Sequence, residues 1–171
     1  MEVEEAIAVR RSVRSYQPKE VPEELIRKVL EAARLAPSAR NRQDWQFIVV
    51  RSEKRELLYE ASDGQTHVRE APVILAGVTT EPGLRMKCGI PSGIVDVAIA
   101  LDHLTLKAAE EGLGTCWIGH FDQAKAKEAL GVPKGCEIVS LMTLGWPREP
   151  LKRLEKPRKN LAEIVGWESF G

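Results

Sequence analysis

Helix and strand signals alternate along the chain, and that alternation by itself predicts a doubly wound α/β domain. Two observations carry the expectation. Val73-Ile74-Leu75-Ala76-Gly77-Val78 is apolar at consecutive positions, as a strand covered on both faces must be. The other strand signals, near residues 45–50, 115–119 and 136–145, are each separated from the next by a helical pattern. With 171 residues, 43% of them hydrophobic, the chain can build one core, so a single domain over 1–171 is expected.

Taken in order, residues 2 to 9 have helical spacing with Val3, Ala6 and Ile7 apolar, although so short a helix needs packing to persist. A second helix begins at Pro22, whose fixed φ suits a first turn, with Glu23 and Glu24 at the dipole-positive end. Leu25, Ile26, Val29, Leu30 and Ala33 make its apolar stripe, and Pro37 closes it. The polar stretch from Ser38 to Asp44 leads into Trp45-Gln46-Phe47-Ile48-Val49-Val50, a strand by its aromatic and β-branched content. Residues 53 to 62 read as an exposed helix, after which Ala71-Pro72 introduces the second strand. Pro82, Gly83, Gly89, Pro91 and Gly93 make residues 81 to 93 a loop or cover, in which Met86, Lys87 and Cys88 could line a pocket.

From Ile94 to Glu111 runs the strongest helix, with Ile94, Val95, Ala98, Ile99, Leu101, Leu104, Leu106 and Ala108 spread around much of its circumference. Such a helix is buried on more than one side, which in a small protein implies a central position or a second subunit. Asp102 and His103 lie on it and read first as packing residues. Gly112-Leu113-Gly114 stops the helix and leads into Thr115-Cys116-Trp117-Ile118-Gly119. That Gly-x-Gly follows a helix rather than opening one, so it is no dinucleotide fingerprint. Asp122 caps a helix that ends at Gly131, and a long final strand, residues 136 to 145, is stopped by Trp146-Pro147. Residues 146 to 171 form a basic, proline-containing extension in which Asn160-Leu161-Ala162-Glu163 has the spacing of a capping box.

Charge and composition narrow the function. Lys plus Arg equals Asp plus Glu at 25 each and aromatic residues are 5%, so neither nucleic acid nor an anionic membrane is an expected partner. Cys88, Cys116 and Cys136 are odd in number and lack Cys-x-x-Cys spacing, which argues against a disulfide framework and against a metal site. The opening Met1-Glu2-Val3-Glu4-Glu5 is acidic where a secretory signal is basic, and no apolar run has membrane-spanning length. A cytoplasmic location is expected. No Ser-His-Asp set and no paired carboxylates suggest side-chain nucleophilic or acid–base chemistry.

What remains is basic and local. Arg10-Arg11-Ser12-Val13-Arg14 places three guanidiniums and a hydroxyl within five residues, and a guanidinium fork matches two phosphate oxygens at once. Arginines at a helix end also complement the macrodipole and need do nothing more. A second cluster, Arg148, Lys152, Arg153, Lys156, Arg158 and Lys159, reads alone as a solvated tail and together with the first as a phosphate clamp.

The chain resembles a small member of the FMN-dependent nitroreductase family from about Ala6 to its carboxyl end. Arg10-Arg11-Ser12-Val13-Arg14-Ser15-Tyr16 is similar to the family's opening motif, which implies that Arg10, Arg11 and Ser12 hold the phosphate and ribityl chain of FMN and that Arg14 sits near the pyrimidine edge. Ala36-Pro37-Ser38-Ala39-Arg40-Asn41-Arg42-Gln43-Asp44-Trp45 resembles a second motif, implying flavin contacts by Pro37, Ser38 and Asn41, with Gln43 supporting the loop. Gly112 to Gly119 is similar to a segment whose backbone reaches the ring's reactive edge, which carries over to Ile118 and Gly119, and the tail motif implies that Lys156 and Arg158 return to the phosphate. Asp44 stands where the family has proline, and residues 80 to 93 are short and atypical.

The resemblance changes the expected fold to α+β, a mixed, largely antiparallel sheet flanked by helices, in a homodimer with flavin between subunits and the tail crossing to the partner. It implies an FMN oxidoreductase taking hydride from NADH or NADPH and reducing a nitroaromatic, quinone or similar small-molecule acceptor by ping-pong kinetics. Arg14, permanently charged, would stabilise negative charge on the reduced ring. His120, beside Gly119, could donate a proton to a reduced substrate, as could solvent. Two alternatives stand beside this: specialised flavin chemistry such as dehydrogenation, dehalogenation or flavin breakdown, and a non-catalytic module that binds a phosphorylated ligand.

Overall fold

In a computed structural model, which describes residues 1–170, the elements follow the order α1 (Val3–Val9), α2 (Glu23–Arg34), β1 (Trp45–Val50), α3 (Lys54–Ala61), α4 (Thr66–Glu70), β2 (Val73–Thr79), α5 (Ser92–Glu110), β3 (Gly114–Ile118), α6 (Gln123–Leu130) and β4 (Glu137–Gly145). Single turns of 3₁₀ helix lie at Ala39–Asn41 and Leu161–Glu163. The strands form one sheet in the order β1-β2-β4-β3 with every neighbouring pair antiparallel. The α+β expectation therefore holds, and the doubly wound one fails. The physical reason lies in β2, which is buried along its whole length and sits between β1 and β4. A central strand with helices on both faces is apolar at every position whichever way its neighbours run.

Side chains of β2 alternate between two cores. Val73 and Leu75 join Val29, Ala33, Leu101, Leu104, Met142 and Leu144 under α2 and α5. Ile74, Ala76 and Val78 join Leu58, Val68, Ala126 and Leu141 under α3, α4 and α6. The result is three layers, helix on sheet on helix. α3, expected to be exposed, buries Leu58 and Ala61 in the second core. α4, only five residues and polar, leaves too short a pattern to register in periodicity.

α5 is enclosed on one side. Val97, Ala100, Leu101, Leu104 and Ala108 are fully buried, whereas Ile94 is exposed and Val95, Ala98, Ile99 and Leu106 are half-buried. Its outer face is apolar beyond what one chain covers. Asp102 is exposed and His103 half-buried, as packing and surface residues are. The cap signals behave as the residues dictate: the Asp122 carboxylate accepts from the Lys125 N–H at 3.0 Å, and Gly131 takes the left-handed conformation, φ 68°, that ends α6. Among the described residues no helix is long and apolar enough to cross a membrane.

The segment after α1 runs along the open edge of β3. The Val13 N–H donates to the Thr115 carbonyl at 2.8 Å, making a parallel bridge, Ser12 to Thr115, at the edge of the antiparallel sheet. Gly114 permits that approach, since a Cβ there would lie 2.6 Å from Val13 Cγ2. Tyr16 locks the segment from the other end. Its ring is buried and its hydroxyl bonds to the Val13 carbonyl at 2.8 Å and Thr143 Oγ1 at 2.6 Å, so burial pushes the phenol well above its ordinary pKa. The chain beyond β4 returns alongside, with Gln17 N–H on the Trp146 carbonyl and Arg148 bonded to Ser15 Oγ and the Tyr16 carbonyl.

Candidate functional site

Because α1 ends at Val9 and residues 12–13 are pinned to β3, the three arginines lie on the short stretch that joins that helix to the sheet edge. The tail folds over them. Arg11 Nη2 donates to the carbonyls of Glu149 and Pro150, and Lys156 Nζ donates to the carbonyls of Ile7 and Arg10. Arg10, Arg11, Ser12, Arg14, Lys152, Lys156 and Arg158 thereby line one groove of about 310 Å³. The two basic clusters, 130 residues and more apart in sequence, meet.

The groove is electrostatically unfinished. Glu155 also lines it, yet none of Arg10, Arg11, Arg14, Lys156 and Arg158 forms an ion pair among the described residues. Nη1 of Arg11 is buried without a hydrogen-bond partner. The Lys156 ammonium is held below the usual lysine pKa by burial first, then by Arg10, Arg158 and Arg11. A lysine crowded by three arginines, beside an orphaned guanidinium nitrogen, is an arrangement that a bound phosphate would reconcile. A smaller cavity of about 220 Å³ adjoins it, lined by Arg11, Ser12, Arg14, Ser15 and Arg148. Behind Ser12, burial pushes the Cys116 thiol up and removes it from reactivity, and burial with the nearby Arg14 charge keeps His67 below its usual pKa.

The second motif forms a strained loop. Arg40, Asn41 and Gln43 take positive φ of 54°, 55° and 56°, a conformation that side chains other than glycine adopt at a cost. The loop is held by specific bonds. The Ala39 N–H donates to the Asp96 carboxylate at 3.1 Å, the Gln43 N–H to Ser38 Oγ at 3.0 Å, and Gln43 Nε2 to the Asn41 carbonyl at 3.1 Å. Gln43 thus supports the turn, as its place in the motif implied. Asp44, where proline was expected, takes an ion pair from Arg42 at 2.6 Å and receives the Thr80 N–H on its carbonyl. Asp96 is the residue that sequence reasoning missed. Its signal was present, an acidic side chain on the inward face of an apolar helix, and it is 5% exposed.

Not all candidates converge in one chain. Pro37, Ser38 and Asn41 stand on the strained loop, and Ile118 and Gly119 at the end of β3, with Ile118 buried and Gly119 exposed; none of these lines the arginine groove. His120 points elsewhere, onto Asp63 at 2.8 Å, both side chains about three-quarters exposed.

A sequence profile of the nitroreductase family matches residues 7–81 and 64–146. A Thermus thermophilus protein named NADH dehydrogenase is 33% identical over 199 aligned residues, covering 98% of this chain and 96% of its own. A Bacillus subtilis protein named FMN reductase [NAD(P)H] is 31% identical over 187, covering 99% of this chain and 74% of its own. A solved structure of a nitroreductase family protein from Clostridium difficile 630 superposes with TM-score 0.87 at 29% identity, covering 99% of both chains.

Proposed function

The chain belongs to the nitroreductase family and is an oxidoreductase, and we propose that it carries FMN in the arginine groove and uses NADH or NADPH to reduce a nitroaromatic, quinone or similar planar acceptor. The observation that carries the cofactor assignment is the unpaired cluster of Arg10, Arg11, Lys156 and Arg158 with the orphaned Nη1 of Arg11. These side chains and the Ser12 hydroxyl would hold the phosphate and ribityl chain. Bound FMN supplies the two-electron carrier, so that donor and acceptor react in separate half-reactions and the kinetics are ping-pong. The protein's own part is binding and field. Arg14, exposed and without a carboxylate partner among the described residues, is available to hold the negative charge that develops when hydride arrives. Pro37, Ser38 and Asn41 would contact the ring from the strained loop, and Ile118 and Gly119 from the end of β3.

In one chain none of Pro37, Ser38, Asn41, Ile118 and Gly119 lines the arginine groove, although both sets are assigned to one flavin. A second copy resolves this. The half-covered face of α5, the exposed Val3 and Ile7 of α1, and the exposed Leu161, Ile164, Trp167 and Phe170 of the tail support a homodimer with the tail reaching its partner. We read each chain as one domain over 1–171, with residues 146–171 as its extension.

The purified protein should be yellow, release FMN at about one per subunit, and bleach when NADH or NADPH is added without oxygen. Double-reciprocal plots against donor at several acceptor concentrations should be parallel. A colourless protein that also refuses added FMN overturns the assignment and leaves a module that binds some other phosphorylated ligand.

A further inference from the structure

Beside the strained loop lies a second basic cavity, of about 320 Å³, which the cofactor assignment does not use. Arg40 and Arg42 line it from the loop, and Arg85 and Lys87 from the stretch before α5. Leu84 and Met86, both half-buried, give it an apolar wall. The charges are unevenly matched. Asp44 is bonded to Arg42, and Glu81 acts on the same guanidinium, so these two carboxylates are directed to one cation, while the Asp96 carboxylate is directed to the Ala39 N–H. Arg85 donates only to the Gly89 carbonyl, at 2.7 Å, and Arg40 and Lys87 make no hydrogen bond or ion pair among the described residues.

The backbone adds a second reason. Arg40 holds φ at 54°, where an arginine is strained, and the buried Asp96 carboxylate fixes the loop at the adjacent Ala39 N–H. Strain of this kind persists where the surroundings impose it, and it clusters at binding sites. Here it sets a guanidinium at the mouth of an apolar-walled cavity on the very loop assigned to the flavin.

We propose that this cavity recognises the anionic group of a reaction partner with an apolar or planar body, the charge coming either from the 2′-phosphate of NADPH or from a carboxylate on the electron acceptor. The inference rests on the oxidoreductase reading for its setting, since a partner bound there lies next to the flavin loop. Phosphate and carboxylate share the feature that matters, paired oxygens that a guanidinium fork and an ammonium can both engage. The charge does not change during hydride transfer, so the cavity acts on binding, and its loss appears in KM.

The test pairs equilibrium binding with kinetics. Adenosine 2′-monophosphate against adenosine, and 4-nitrobenzoate against nitrobenzene, are titrated calorimetrically into wild-type protein and into Arg40→Asn/Lys87→Met, asparagine being chosen because it tolerates positive φ. Lys54→Met/Lys125→Met, on α3 and α6 away from this cavity, removes the same two charges and controls for net charge. At low salt one charged probe should bind wild type, weaken about tenfold in the double variant, and change less than about twofold in the control. In turnover, the kcat/KM ratio of NADPH to NADH, or of 4-nitrobenzoate to nitrobenzene, should fall by the same factor through KM. Loss confined to the nucleotide pair assigns the 2′-phosphate, and loss confined to the nitro pair assigns the acceptor. Wild type that binds neither anion, or a double variant that binds as wild type does, overturns the proposal even if turnover is intact. Binding lost in the variant while wild type oxidises neither nicotinamide keeps the cavity and overturns the oxidoreductase reading instead.

Discussion

Arg14 and Lys156 show how much depends on single charges. Arg14 lines the groove beside Arg10 and Arg11 without an ion pair among the described residues, which suits a residue whose partner is charge created during reaction. Arg14→Met should slow flavin reduction about 100-fold, as loss of one preorganised donor does, while FMN affinity falls far less. Stopped-flow absorbance and flavin fluorescence titration measure the two, and equal damage to both sinks the assignment. Lys156 binds an anion only when protonated, and burial together with Arg10, Arg158 and Arg11 lowers its pKa. FMN affinity should therefore be full below that lowered pKa and decline as pH rises through it, earlier than an ordinary lysine allows. Lys156→Met should bind FMN more weakly at neutral pH and show no such alkaline decline. At this scale the motif residues were readable because guanidinium chemistry is carried by residue type. Asp96 was not, because its role depends on Ala39 being brought to it from 57 positions away.

The element that positions the site is the extended stretch from Arg10 to Tyr16, and it depends on an absent side chain. At Gly114 a Cβ would meet Val13 Cγ2 at 2.6 Å and Val13 Cβ at 2.8 Å, so one strand must give way. Gly114→Ala should cost about 1–3 kcal/mol by overpacking and also shift the clamp. Melting with and without FMN separates these effects, and the rise in Tm that FMN produces should shrink along with the base Tm. An unchanged FMN-induced rise would mean that the bond from Val13 to Thr115 does not set the clamp. Helix and strand positions were largely legible here, from Pro22 at the start of α2, through the Asp122 cap, to Gly131 at the end of α6. Burial was less so. α3 reads as exposed because only Leu58 and Ala61 of its eight residues are buried, and which helix covers them is decided by α6 far along the chain.

At the scale of the whole molecule, the apolar surface of the tail and of α5 calls for a cover. Leu161, Ile164 and Trp167 are 72%, 64% and 87% exposed, and the outer face of α5 is half-covered. A chain ending at Lys159 keeps Lys156 and Arg158 but loses those side chains. It should run at lower mass in light scattering behind size exclusion and should retain less flavin. An unchanged dimer with full flavin would show that α1 and α5 suffice and that the tail does not reach its partner. What the sequence determined by itself was the elements other than the short α4, the cation clusters and the loop residues, since these follow from local propensity, capping and residue chemistry. Strand direction was beyond its periodicity, because β2 is apolar on both faces in a parallel or an antiparallel sheet alike, and only the family resemblance pointed to a largely antiparallel sheet. Only the tertiary structure decided that β2 and β4 run antiparallel at the centre, and that the tail closes over Arg10 and Arg11. Both are contacts between residues far apart in the chain, and local signals carry no information about which distant partner a strand or a cation will meet.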